Sequence, residues 1–333
     1  MRRALTRLVI AAGIGLGGTL AVATGLALFG GPGERRAPEA GQGLRFGGPE
    51  PLAADVPLAQ VMARDGVPLA YRRWDSVRAD VPLVIAVHGS GWHGGQFRGL
   101  GAALAAEGLA DVVAPDLRGH GTSPKRRGDV DYIGQMEDDL ADLIAATAGP
   151  DQLVILLGHS SGGGLVVRMA GGAHGGVLHG AILLAPFLQH DAPTTRPNAG
   201  GWAQVALPRI IGLTILNSFG IRALNHLEVI RFAFPDAVLA APGGEAATTA
   251  YSFRLNTSYA PRRDWPRDVA SLPPFLLVAG TADEAFVATA YQPAMSAANP
   301  HGGQYRLVQA GHLDVVDHPD TFAAIRDWLA DLR

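Results

Sequence analysis

Six short runs rich in Val, Ile and Leu, at 83–87, 111–114, 153–157, 177–184, 275–279 and 305–308, constrain this chain more than any other feature. Longer segments of helical character separate them. Continuous apolar runs of strand length belong to strands buried on both faces, so the alternation predicts a mostly parallel sheet covered by helices on each side, an α/β fold. The 333 residues are compatible with one catalytic domain plus appendages. Most of the runs end at a polar turn. His88-Gly89-Ser90 follows the first, Asp116-Leu117-Arg118-Gly119-His120-Gly121 the second and Gly158-His159-Ser160-Ser161-Gly162 the third. Asp283 follows the fifth run and His312 the sixth. Catalytic groups in open α/β sheets gather outside the carboxyl ends of the strands, so these five turns are expected to converge.

The turn at Ser160 has a physical signature. A strand bending sharply into a helix strains its turning residue, and side chains two positions away on either side would clash. Gly158 and Gly162 remove those clashes, and Gly163-Gly164-Leu165-Val166-Val167 continues as the helix. Ser160 is thus expected to be a nucleophile. Serine needs a base within hydrogen-bond reach, itself oriented by a third group. His312, in Ala310-Gly311-His312-Leu313-Asp314, is the expected base, and Asp283, in the stretch 279–284, the orienting carboxylate. Glu284 is the fallback, ahead of Asp314 and Asp317. Attack on an ester places negative charge on the carbonyl oxygen, which calls for two preorganised donors. The backbone N–H of Ser161, at a helix start, is one; the N–H of Ser90 is the other, with Gly91 as its alternative.

With these residues identified, the chain resembles the α/β-hydrolase superfamily, and within it the branch of monoacylglycerol lipases and lysophospholipase-like serine hydrolases. The carriers are His88-Gly89, the segment from Asp116 to Ser123, Gly158-His159-Ser160-Ser161-Gly162, Gly280 to Asp283, Gly311-His312, and the order Ser, Asp, His along the chain. The resemblance implies a serine hydrolase that cleaves carboxylic esters of lipid-like character through an acyl-serine intermediate, with no cofactor and no metal. It also implies a helical cap inserted at 187–274, and a role for His88, Arg118 and His120 at the site entrance. The apolar stretch 208–221 inside that insertion suits a lid. The same triad supports cleavage of thioesters, amides or carbon–carbon bonds, and a non-catalytic scaffold with this fold is the rival of another class.

Ahead of the catalytic domain, residues 8–29 carry no charged side chain and follow Arg2, Arg3 and Arg7. This reads as a transmembrane anchor within 1–30, with the catalytic domain outside the cytoplasm. A cleaved signal peptide, giving a secreted or periplasmic protein, is the alternative. Residues 31–57, rich in Gly, Pro and Ala, read as a flexible linker, and 58–333 as the hydrolase domain. A formal net charge of −3 gives no reason to expect a nucleic-acid partner. The partners expected are a small-molecule ester and, through the N-terminal helix, a membrane. The chain has no cysteine, which removes disulfides, thiolate catalysis and cysteine metal sites together.

Overall fold

The computed structural model describes residues 2–36, 43–47, 56–122 and 124–332, with 2–12, 14 and 198 described by their backbone alone. Strands β1 (Ala59–Met62), β2 (Pro68–Trp74), β3 (Leu83–Val87), β4 (Asp111–Pro115), β5 (Val154–His159) and β6 (Gly180–Leu184) come first in the chain. A small group follows, β7 (Ala203–Val205), β8 (Glu228–Phe232) and β9 (Ala250–Ser252), before β10 (Phe275–Gly280) and β11 (Gly303–Val308). The main sheet has eight strands in the order β1-β2-β4-β3-β5-β6-β10-β11. From β4 to β11 all neighbours are parallel; β1 and β2 add an antiparallel edge.

The apolar runs become the sheet interior because both of its faces are covered. Every residue of β3, β5, β6 and β10 is buried. Helices α2 (Arg98–Ala106), α3 (Gln135–Thr147), α4 (Ser161–Ala170), α8 (Trp265–Ala270), α9 (Tyr291–Ser296) and α10 (Pro319–Asp331) accompany the sheet. The fourth apolar run becomes β6, which starts at Gly180 instead of 177 because Gly175–Val177 closes a 3₁₀ turn. No apolar run marks β1, whose residues alternate between half-buried and exposed at the sheet edge.

The segment between β6 and β10 corrects the expectation of a helical cap. It contains α5 (Leu207–Ser218), α6 (Asp236–Ala240), α7 (Phe253–Tyr259) and α8, but also the antiparallel sheet β7-β8-β9. Tyr251 and Phe232, on adjacent strands of that sheet, are buried and pack edge to face.

At the position of the expected membrane helix, Arg2–Phe29 does form a helix, α1, of which 2–12 and 14 are described by backbone alone; among the described residues no helix is long and apolar enough to cross a membrane. The end of α1 packs on the catalytic domain. Ala23 and Ala27 are buried in a cluster with Leu213 and Leu216 of α5, and Arg209 donates to the carbonyls of Ala27 (2.7 Å) and Leu28 (3.1 Å). A cation placed on the last carbonyls of a helix satisfies acceptors that would otherwise lack partners and opposes the helix dipole.

The described parts of the expected linker are likewise seated on the domain. Arg35 pairs with Asp236, the Gly43 N–H donates to the Gly200 carbonyl (2.8 Å), and Leu44 is buried. Residues 37–42 and 48–55 of that segment, and Ser123, lie outside the described residues.

Candidate active site

Ser160 sits between β5 and α4 with φ 54° and ψ −122°, a conformation that costs a non-glycine residue about 1–3 kcal/mol. Backbone contacts hold it there. The Ser160 N–H donates to the Leu184 carbonyl (2.9 Å), and the Ser160 carbonyl accepts from Gly164 (3.1 Å) and Phe187 (2.9 Å). A β-carbon on Gly158 would lie 2.4 Å from the Gly162 carbonyl oxygen, and one on Gly162 would lie 2.1 Å from that of Val87. The two glycines are therefore required by close backbone approach on either side of the elbow.

The loops after β10 and β11 bring the other two residues to the serine. His312 Nε2 lies 3.0 Å from Ser160 Oγ, and His312 Nδ1 lies 2.8 Å from Asp283 Oδ2. With Nδ1–H directed at the carboxylate, Nε2 is left to accept the serine proton. Asp283 Oδ1 accepts the N–H groups of Ala285 (2.7 Å) and Phe286 (2.8 Å). Burial raises the pKa of Asp283, but the facing imidazole and these N–H groups outweigh it and hold the group below its usual value. Glu284 points elsewhere: it accepts the backbone N–H of His312 (2.9 Å) and pairs with Arg45. Asp317 accepts the Leu100 N–H (2.9 Å) from its own side of the cavity.

Above the elbow, the alternatives for an oxyanion donor separate. The Gly91 N–H is committed to the Tyr251 hydroxyl (2.6 Å) and the Gly89 N–H to Gln96 Oε1 (2.9 Å). Among the described residues, the N–H groups of Ser90 and Ser161 donate to no protein acceptor, while their hydroxyls contact each other at 2.5 Å. Ser161 is the first residue of α4, where helix N–H groups are free by geometry.

Two networks brace this arrangement, through Gln96, His159 and Tyr251, to which sequence reasoning assigned no role. In the first, Gln96 accepts from Gly89 and its amide N–H donates to His159 Nδ1 (2.8 Å); His159 Nε2–H then donates to the His312 carbonyl (2.9 Å). Burial, reinforced by the neighbouring His312, lowers the His159 pKa to about 3, so the ring stays neutral in this chain of bonds. His159 was visible inside the serine motif, whereas nothing local marks Gln96. In the second network, the Tyr251 hydroxyl donates to His120 Nε2 (2.7 Å) while accepting from Gly91, and His120 Nδ1–H donates to the Arg118 carbonyl (3.1 Å).

The three residues expected at the site entrance lie away from both cavities that reach Ser160. His88 and His120 are buried, their rings 4.9 Å apart, and neither lines a cavity that reaches Ser160. His88 Nδ1–H donates to the Gly89 carbonyl (2.9 Å) and its Nε2 accepts from Leu117 (3.2 Å), so its burial, which lowers its pKa to about 4, is satisfied internally. Arg118 pairs with Asp139 (2.7 Å) and Asp65 (3.0 Å) and borders a separate groove of about 550 Å³.

Two apolar cavities meet at the serine. The larger, about 220 Å³, is lined by Leu44, Phe46, Trp92, Trp202, Phe234 and Val316 among others. The smaller, about 80 Å³, runs under the inserted sheet past Phe187, Ile230, Phe232 and Phe286. Ser90, Ser160, Trp202 and His312 border both. Among the described residues no group of three or more His, Asp or Glu side chains is arranged to hold a metal ion.

Comparison with known proteins identifies the family and the fold. A family described as serine aminopeptidase, S33, matches residues 79–311. Monoacylglycerol lipase from Mycolicibacterium smegmatis is 33% identical over 129 residues, which are 38% of this chain and 45% of that protein. The chain therefore matches less than half the length of this curated relative. Among solved structures, a soluble variant of monoglyceride lipase from Saccharomyces cerevisiae superposes with TM-score 0.64 at 18% identity, covering 85% of this chain and 98% of that one. Monoacylglycerol lipase from Paleococcus ferrophilus superposes with TM-score 0.58 at 20% identity, covering 80% and 99% respectively. At these identities the superpositions establish the α/β-hydrolase fold alone.

Proposed function

We propose that this chain, which belongs to the serine aminopeptidase S33 family of α/β-hydrolases, is a serine hydrolase that cleaves carboxylic esters carrying apolar chains. The observation that carries this reading is the alignment of Ser160, His312 and Asp283, at 3.0 and 2.8 Å, where two apolar cavities meet.

In the proposed reaction, Ser160 Oγ attacks the ester carbonyl as its proton passes to His312 Nε2. The oxygen–carbon bond forms, and the resulting oxyanion accepts from the N–H groups of Ser90 and Ser161. Asp283 stabilises the imidazolium and keeps its orientation. Collapse breaks the bond to the alcohol, which leaves with the proton of His312, and water then repeats the sequence on the acyl-serine. Substrates of the monoacylglycerol or lysophospholipid class suit the apolar lining, and monoacylglycerols are named by relatives at low identity.

The family description raises peptide cleavage as a second reading. An amino-terminal ammonium needs a carboxylate to receive it, and Asp317 is the one carboxylate bordering the two cavities among the described residues. Burial raises its pKa, and it already accepts the Leu100 N–H, which favours the ester reading. A panel of p-nitrophenyl esters, monoacylglycerols and aminoacyl p-nitroanilides tests the proposal. Ester turnover that disappears in Ser160→Ala is the expected result; anilide turnover without ester turnover would sink it.

A further inference from the structure

Residues 43–47 come from the segment that precedes the catalytic sheet, yet they reach the nucleophile. The strap is anchored at one end by the Gly43 N–H on the Gly200 carbonyl (2.8 Å). Its next residues alternate as an extended chain does, successive side chains pointing to opposite faces. Leu44 and Phe46 turn inward and border the same cavity as Ser160 and His312. Arg45 turns outward, its side chain 68% exposed, and pairs with Glu284.

Each contact of the strap lands on a part of the site. The Phe46 ring lies 5.9 Å from that of Trp202 and 5.7 Å from that of Phe234, closing an aromatic wall. Arg45 also donates to the Ala282 carbonyl (3.2 Å), and its partner Glu284 accepts the His312 backbone N–H (2.9 Å). The strap is thereby tied to the loops that carry Asp283 and His312.

From this arrangement we infer that Leu44 and Phe46 are specificity-determining residues, forming the wall that limits the length and bulk of the apolar chain held in the larger cavity. The inference rests on the serine hydrolase reading above. The volume of about 220 Å³ falls below the roughly 300–1,000 Å³ of a site for a drug-sized ligand, so within the proposed substrate class the intact wall selects the shorter or more compact acyl chains. The Arg45–Glu284 pair holds the wall in register with the triad loops.

The test uses the full chain and two substitutions of opposite sign, Phe46→Ala and Phe46→Trp. Labelling rates of Ser160 are measured with a short-alkyl and a long-alkyl fluorophosphonate, alongside kcat/KM for p-nitrophenyl esters of increasing acyl length. Phe46→Ala is expected to raise the long-to-short ratio roughly tenfold, the scale at which a pocket discriminates by size, and Phe46→Trp to lower it. If the alanine variant does not fold, the tryptophan variant, which keeps an aromatic ring against Trp202 and Phe234, decides the matter by itself. An unchanged ratio in a folded variant overturns the inference, even where all rates fall together. Labelling of the unsubstituted chain without ester turnover would defeat the ester reading instead, and the labelling ratio would still judge the wall.

Discussion

The side-chain amide of Gln96 donates to His159 Nδ1 at 2.8 Å, and through this contact the loop of Ser90 is joined to the loop that carries His312. On one side Gln96 accepts from Gly89, next to Ser90; on the other, His159 donates to the carbonyl of His312. Neither residue is required for bond making, yet both set the spacing between donor and base. Gln96→Leu is expected to lower kcat about 10- to 100-fold with a smaller change in KM, as misplacement of a catalytic group does. The kcat and KM of purified variant and parent decide it, and an unchanged kcat would remove Gln96 from the positioning network.

Tyr251 gives a second, independent brace. Its hydroxyl receives the Gly91 N–H and donates to His120, so Tyr251→Phe leaves a buried N–H and a buried imidazole nitrogen without that partner. The expected cost is about 1–3 kcal/mol of stability, together with a reduced kcat from a looser oxyanion loop. Urea unfolding and steady-state kinetics measure the two effects separately. Full activity in the variant would show that β9 of the insertion does not support the loop.

Acid should destabilise the fold through its buried histidines. Burial lowers the pKa of His88 to about 4 and of His159 to about 3, from an ordinary value of 6.5. Below 6.5 the unfolded chain takes up protons that the folded chain refuses. Their contribution is therefore complete above that value and lost as the pH falls toward the folded values, by roughly 1.4 kcal/mol per pH unit for each histidine. Asp283, held below its usual value, acts in the same direction at lower pH. Unfolding free energies between about pH 5 and pH 8 should fall toward acid, and less steeply in a folded His159→Gln variant. Equal slopes would contradict the assignment of His159 as a buried neutral ring.

The nucleophile itself stores strain. Ser160 has φ 54°, which glycine adopts freely, so Ser160→Gly should abolish turnover and fluorophosphonate labelling while raising stability by about 1 kcal/mol. That figure is the strain released less the added backbone entropy of glycine in the unfolded chain. Thermal and urea unfolding of the two proteins provide the check. A less stable glycine variant would mean that the hydroxyl contacts outweigh the backbone strain.

Much of the site could be read along the chain because its signals are local. The buried runs that became β3, β5 and β10, and the glycines flanking Ser160, act over a few residues, where sterics and side-chain period leave little choice. The convergence of the turns after β5, β10 and β11 then follows from a parallel sheet with its strand ends on one side.

Other features depended on partners far away in the chain. Asp283 and Glu284 are adjacent carboxylates, and only the folded loop decides that one faces the imidazole while the other takes a backbone N–H and Arg45. The glycine-rich segment near Leu44 has no periodic signal, so its place beside Ser160 emerges from packing against Trp202 and Phe234. The family resemblance implied an entrance role for His88 and His120, but Tyr259 and Tyr251 close over them. An apolar helix such as α1 has one local pattern whether lipid or protein covers it; the burial of Ala23 and Ala27 against α5 is a tertiary outcome. Local sterics thus specified the elbow and the strands, while contacts across large sequence separations decided which neighbouring groups share the site.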